Sequence, residues 1–201
     1  MRIALSALLC FVMAGLSGCG STGPRRIDAS GDEAVVSMGL DYGDIVEVAG
    51  DLAKKLVTDS FLNYPPYQGN YPIKMVLSNT ENKTNLRDLN TDMITQRVRS
   101  TALNSGKVRF VASFGSGPTD DIVKGAQDVK DDSRFNQDQV PKEGSLTFPQ
   151  MSLVTQIQYV RSTDGKNRQN TYQVAMFVTD IQSGEIMWEE FSGPIAKLSS
   201  R

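Results

Sequence analysis

Two cysteines, Cys10 and Cys19, and a complete absence of histidine define the chemistry open to this chain. Without imidazole there is no Ser-His-Asp or Cys-His nucleophile pair. The commonest zinc ligand sets and the easiest general base near neutral pH are missing as well. Gly115-Ser116-Gly117-Pro118 has neither the Lys-Ser/Thr ending nor the G-x-G-x-x-G spacing of a phosphate-cradling loop. Asp120-Asp121 and Asp131-Asp132 could face a calcium ion, yet no Asp-x-Asp-x-Asp-Gly loop surrounds them. A helix cap and a solvated end account for them better. The 23 acidic side chains are scattered and single out no glycosidase-type pair. The expectation is a non-enzyme with no metal, no cofactor and no small-molecule substrate.

Cys19 has a different use. Met1-Arg2 is a short positive start, and Ile3 to Leu16 is an apolar stretch too short to anchor as a spanning helix. It ends in Leu16-Ser17-Gly18-Cys19, which looks like a bacterial lipobox. The alternative is an ordinary secretory signal that merely contains a cysteine. In lipobox sequences the thiol receives diacylglycerol, the peptidase cuts before Cys, and the freed amine is then acylated in most Gram-negative bacteria. Residue Gly20 follows, where an Asp would favour retention in the inner membrane by resemblance to enterobacterial lipoproteins. The expected location is therefore the outer membrane, lipid-anchored and facing the periplasm, since three acyl chains exceed the two signals that stable anchoring needs. Cys10 would leave with the signal and Cys19 would carry lipid, so the mature chain would hold neither a free thiol nor a disulfide.

These readings divide the chain into a signal peptide (1–18), a lipidated cysteine with a flexible tether (19–37) and a globular domain (38–201). Gly20 to Ser37 is polar and turn-rich; relaxed, it spans roughly 20–25 Å, and fully drawn out about 60 Å. The composition, 39% apolar and 22% charged, is that of an ordinary globular chain, and the remaining ~160 residues suffice for one core. With 21 basic and 23 acidic residues, net charge −2 and no block of five or six like charges, nucleic acid is not an expected partner.

Within the domain, Ile45, Val48, Ala49, Leu52, Ala53, Leu56 and Val57 recur at helical spacing over Asp44 to Phe61, with Asp41 as N-cap. Tyr64-Pro65-Pro66 must lie beyond the end of that helix. Ile73 to Ser78 reads as a strand, Asn79 to Asn90 as a loop, and Asn90 or Thr91 caps a second helix that Gly106 ends. Val108 to Ala112 is a second strand, making a βαβ-like unit whose strands lie parallel if paired. Pro118 to Asp131 suggests a third helix, and Asp131 to Gln150 an irregular excursion. Ser152 to Val160, Tyr172 to Ile181 and Glu185 to Phe191 form an antiparallel meander, with a polar turn over Thr163 to Gln169 and a tight one at Ser183-Gly184. Trp188, in that meander, is expected to be largely buried against the helices. The fold class is α/β: a single domain with one mixed β-sheet flanked by helices.

Three segments share a further character. Leu40-Asp41-Tyr42-Gly43 leads directly into the long helix. Val76-Leu77-Ser78-Asn79-Thr80-Glu81-Asn82-Lys83-Thr84-Asn85 is a strand followed by an Asn-Lys-Thr-Asn turn. Asp180-Ile181-Gln182-Ser183-Gly184-Glu185-Ile186-Met187-Trp188 is the last hairpin. In this order after a lipobox, they resemble the LpoB family of outer-membrane lipoprotein activators of class A penicillin-binding proteins. The last hairpin is also similar to those of related sheet domains such as the curli secretion lipoprotein CsgG. The implied fold is similar to the CsgG/TolB N-terminal-like fold.

The resemblance implies a regulator that binds and activates a peptidoglycan synthase. The alternative is a structural or assembly lipoprotein of an outer-membrane secretion or surface-appendage complex. No Ser is followed three residues later by Lys, so the chain does not look like a penicillin-binding transpeptidase itself. Candidate partner contacts are Asn82, Lys83, Thr84 and Asn85, whose side chains read more readily as a self-bonded structural turn. Tyr64, Tyr67 and Tyr71 in the Tyr-Pro-rich insertion are further candidates, either folded onto the domain or forming a contact surface. The chain departs from the family pattern in two places: this insertion, Tyr64 to Pro72, and the tether, which in enterobacterial relatives looks much longer and proline-rich and is understood to carry the domain through the peptidoglycan layer.

Overall fold

The apolar stripe of the first long helix becomes the centre of the molecule. In the computed structural model, residues 27–28, 31–32, 36–58, 61–65, 67–112, 121–129, 132–142 and 144–200 are described. Residues 35–201 form one compact unit, and 1–34 are a separate unit. Cys19, the signal segment, Gly115-Ser116-Gly117-Pro118, Asp120 and Asp131 lie outside the described residues.

Helix α1 (Tyr42–Thr58) buries Ile45, Ala49, Leu52, Ala53, Leu56 and Val57, the stripe its spacing predicts. Its start differs from expectation. Asp41 sits at the N-cap position, but its carboxylate accepts from Ser37, through Oγ at 2.8 Å and backbone N at 3.1 Å. The reciprocal bond is the one that forms: Asp44 Oδ2 accepts from Asp41 N at 2.9 Å. This is half of a capping box, with Asp in place of the usual Glu or Gln. The helix ends at Thr58, short of the expected Phe61, and a 3₁₀ turn over Phe61–Asn63 follows. Lys107 Nζ donates to the Val57 carbonyl at 2.7 Å, where a cation meets the negative helix end.

Strand β1 (Ile73–Leu77), the short β2 (Glu81–Asn82), α2 (Thr91–Asn104) and β3 (Val108–Phe110) follow in order. Asn90 caps α2 by accepting from Met93 N at 3.2 Å. Gly106, at φ 73°, closes the helix in the left-handed conformation that glycine adopts without strain. β1 and β3 pair in parallel, as a strand–helix–strand unit requires. A short helix α3 (Asp121–Asp128) occupies the middle of the expected third helix, and the described residues from 132 to 150 hold only turns, bends and irregular chain.

Two long strands then build most of the sheet. β4 (Met151–Thr163) pairs in parallel with β1 and β2 and antiparallel with β5 (Asn167–Asp180) along its whole length. β6 (Ile186–Phe191) and β7 (Ile195–Ser200) both pair antiparallel with β5, on successive stretches of it. The order β3-β1-β4-β5-β6, with β2 beside β4 and β7 beside β5, makes one mixed sheet. Leu153 and Ile157 of β4 and Val174, Met176 and Val178 of β5 pack with α1 and α2 in a single core on one face. The architecture is the expected α/β domain.

Two expectations need correction. The polar turn over 163–169 shrinks to residues 164–166, because β7 gives the polar start of β5 a hydrogen-bonding neighbour. Asp164 Oδ1 closes it by accepting from Lys166 N and Asn167 N at 3.0 and 2.6 Å. Trp188 is only partly buried at the rim of the core. It lies on β6, which among the described strands pairs with β5 alone, and the register shift at Val178/Thr179 turns the strand there.

Candidate functional site

The Asn-rich loop after β1 is held from beneath. Thr80 and Thr95 are both 5% exposed, and their hydroxyls lie 2.8 Å apart. Thr95 Oγ1 also accepts from Thr80 N at 3.0 Å and donates to the Thr91 carbonyl at 3.0 Å. Replacing Thr95 by Val keeps the shape but orphans the buried Thr80 amide. The expected loss is about 1–2 kcal/mol, read from urea unfolding. An unchanged midpoint would show that the loop is held elsewhere.

Above this pair the loop bonds to itself. Asn82 Oδ1 accepts from Thr84 N and Oγ1 at 2.9 and 2.6 Å, Asn82 Nδ2 donates to the Leu86 carbonyl at 2.7 Å, and Thr84 Oγ1 accepts from Leu86 N at 3.0 Å. Lys83 N donates to the Ile157 carbonyl at 2.9 Å, and its ammonium reaches Glu81 at 3.0 Å. Asn82 and Thr84 thus build the turn, an Asx-type arrangement in which short polar side chains replace backbone partners. Asn85 stands exposed at its far side.

Asn85 opens onto a groove of about 590 Å³ between this loop and the entry to α1. Leu40, Ile45, Leu86, Leu89 and Met93 give it an apolar lining, while Tyr42, Arg87 and Asp88 stand around it. Tyr42 is 45% exposed. One wall therefore carries Leu40 and Tyr42 of the first segment behind the sequence resemblance, and the other begins at Asn85, the last residue of the second segment, and continues through Leu86 to Met93. Tyr42, Arg87 and Asp88 were not singled out as contacts from sequence. The available signal was the place of Tyr42 inside Leu40-Asp41-Tyr42-Gly43.

The tyrosines of the insertion lie apart from that groove. Tyr67 packs edge-to-face on Phe61, centroids 5.1 Å apart, and burial together with the nearby Asp180 and Glu185 pushes its phenol up. Tyr71 Oη donates to the Leu62 carbonyl at 2.6 Å, and Lys107 Nζ sits 5.5 Å from its ring centre. Tyr64 alone projects, at 67% exposure. Two of the three are folded onto the domain and one is presented to solvent.

The wall formed by residues 37–44 is clamped to the sheet. Lys197 Nζ on β7 reaches Asp41 Oδ2 at 3.0 Å and Asp44 Oδ2 at 2.8 Å, with the three side chains only 14–22% exposed. Asn170 Nδ2 and Tyr172 Oη both donate to the Met38 carbonyl, at 2.8 and 2.9 Å. Burial pushes the Asp41 carboxyl up, but hydrogen bonds from Lys197 and Ser37 outweigh it and hold it below the usual range. Burial pulls Lys197 down, but its bonds to Asp44 and Asp41 prevail and raise it.

The signs follow from linkage. Asp41, depressed when folded, contributes stability above its ordinary value near 4 that is lost as pH falls through the depressed one. Lys197, raised when folded, contributes below its ordinary value of about 10.5 and loses that contribution as pH rises through the raised one. Lys197→Met should cost about 2 kcal/mol at neutral pH, between a surface pair and a fully buried one, because two carboxylates are left facing each other. Urea unfolding at pH 7 and at pH 3 tests this. The deficit should narrow at the lower pH, and an equal deficit at both would contradict the assigned pairing.

Among the described residues no group of three or more Asp, Glu, Cys or His could hold a metal ion. No described helix is long and apolar enough to cross a membrane. The family described as peptidoglycan-synthase activator LpoB matches residues 44–192, nearly three quarters of the chain; the match takes in the Asn85–Met93 wall of the groove and begins just after Tyr42. The chain belongs to the LpoB family. This is a family of regulatory activators of peptidoglycan synthesis, in keeping with the non-enzyme expected from composition.

Solved structures with a similar course of chain include the LpoB C-terminal domain from Escherichia coli, 14% identical, covering 77% of this chain and 99% of that one at TM-score 0.43. The LpoB C-terminal domain from Salmonella enterica is 16% identical, covering 76% and 98% at TM-score 0.40. The solution structure of Escherichia coli LpoB is 14% identical, covering 88% and 83% at TM-score 0.39. No curated protein matches the sequence.

Proposed function

We propose that this LpoB family member is a lipoprotein of the outer membrane, anchored through Cys19, whose periplasmic domain binds and activates a class A penicillin-binding protein. The observation that carries the reading is the family match over residues 44–192. Support for the anchor comes from Leu16-Ser17-Gly18-Cys19 and the residue after it. A domain without catalytic groups raises another enzyme's rate only by binding its active conformation better than its inactive one, and by no more than that difference in affinity.

The groove walled by Tyr42 and Asn85 is the first candidate contact, since a half-exposed aromatic beside an apolar hollow is the arrangement on which interfaces concentrate energy. Lys83 at the loop's edge belongs to the same candidate surface, and Asn82 and Thr84 act through the loop they hold. Tyr64, with Tyr67 and Tyr71 behind it, is the second.

The test is glycan polymerisation and cross-linking by the purified synthase of the same organism, with and without the full chain. Stimulation that saturates with added chain is expected. Tyr42→Ala and Asn85→Ala should weaken it roughly tenfold or more in half-maximal concentration, as loss of a contact of about 1.4 kcal/mol or more implies. Tyr64→Ala reports on the second surface. Absence of both stimulation and a complex at saturating concentration would overturn the reading.

A further inference from the structure

Strands β4 to β7 have a second face that neither α1 nor α2 covers. Alternation puts Leu153, Ile157, Met176 and Val178 into the core. On the opposite face the registers align Val154 with Phe177, Gln156 with Ala175 and Phe191, and Val160 with Thr171 and Ala196. Four large apolar side chains stand in solvent there: Val160 and Ile186 at 63% exposure, Leu198 at 67% and Phe191 at 41%. Charge is nearly missing. On these four strands Glu189 is the sole ionisable side chain of that face. On the neighbouring strands, ionisable groups return at Lys74, Glu81 and Arg109 of β1, β2 and β3.

A sheet that merely faces water alternates its core residues with polar and charged ones. Depletion of charge together with exposed Phe, Leu, Ile and Val is instead the composition of an interface centre. We propose that this face is where a second copy of the chain docks, sheet against sheet, about a two-fold axis. The area is sufficient. The 14 residues of β5 at ~3.3 Å each, and three strand-widths of ~4.8 Å, span roughly 650 Å² per copy; with Ala175 at its middle already buried, the pair covers at most about 1,300 Å². That lies within the range of specific interfaces. The charge pattern selects the occupant. An uncharged face meets its own image without like-charge repulsion, as a two-fold contact demands, whereas a strongly ionic partner finds nothing here to pair with.

The test is sedimentation equilibrium of the full chain in density-matched detergent. A reversible monomer–dimer equilibrium is expected. The double variant Val160→Lys and Leu198→Lys, which places cations face to face, should weaken it at least tenfold. Circular dichroism checks that the variant folds; should it not, Val160→Ser with Leu198→Ser removes only apolar area and carries the same expectation. A wild-type chain that stays monomeric at roughly 100 µM, where even weak specific pairs associate, overturns the proposal. So does a dimer that the substitutions leave untouched, because its contact then lies elsewhere. A monomeric wild type whose variants lose stimulation of the synthase also overturns it, and makes this face the synthase contact instead.

Discussion

A chain carrying Ser in place of Cys19 is expected to incorporate no palmitate analogue and to accumulate with residues 1–18 still attached. The thiol of Cys19 is the acceptor of diacylglycerol in the lipobox reading, and the peptidase acts only on the lipidated form. A serine hydroxyl is a far poorer nucleophile than a thiolate, so one substitution should block both steps. The effect is all-or-none because the anchor depends on this atom: removing all acyl chains removes every contribution of ~0.8 kcal/mol per buried methylene. Metabolic labelling and gel mobility check it. Label on the Ser variant would remove the lipoprotein reading while leaving the domain's action on a purified synthase open. The tether makes a related demand. Deleting ten of its ~18 residues shortens its reach by about 35 Å, and should abolish function in cells if the synthase is rooted across the periplasm.

Leu56→Ala should be the most destabilising of the single changes considered for the domain. Leu56 is 0% exposed on the last turns of α1, inside the cluster that joins both helices to the sheet. Truncation loses the transfer free energy of the removed carbons and leaves a cavity that two helices and a sheet cannot fully close. A loss of about 3–4 kcal/mol follows, against a total for such domains of about 5–15 kcal/mol. In urea the midpoint should fall with the slope unchanged, since the surface exposed on unfolding is the same. Lys54→Ala serves as the control. Its pair with Asp51 is two-thirds exposed, and its loss should register below about 1 kcal/mol. Comparable losses in the two variants would mean that α1 is not packed as described.

The sequence alone carried the stripe on α1, the Asn90 and Gly106 ends of α2 and the parallel pairing of β1 with β3. Each rests on local spacing or on a residue whose backbone preference is strong. The family was legible for a similar reason, since its three segments are contiguous runs. What local pattern could not decide was anything set by a neighbour distant in the chain. Asp41 reads as a cap until Lys197, 156 residues away, competes for its carboxylate. β7 has little alternation of its own and forms because the polar start of β5 needs a partner. Trp188 reads as core, but whether a strand residue is covered depends on whether its strand has neighbours on both sides. The groove between Tyr42 and Asn85 exists because Asp41, Met38 and the Thr80–Thr95 pair hold two remote loops side by side. Sequence determined which residues could make contacts; the packing of α1 against the sheet decided which of them face one another.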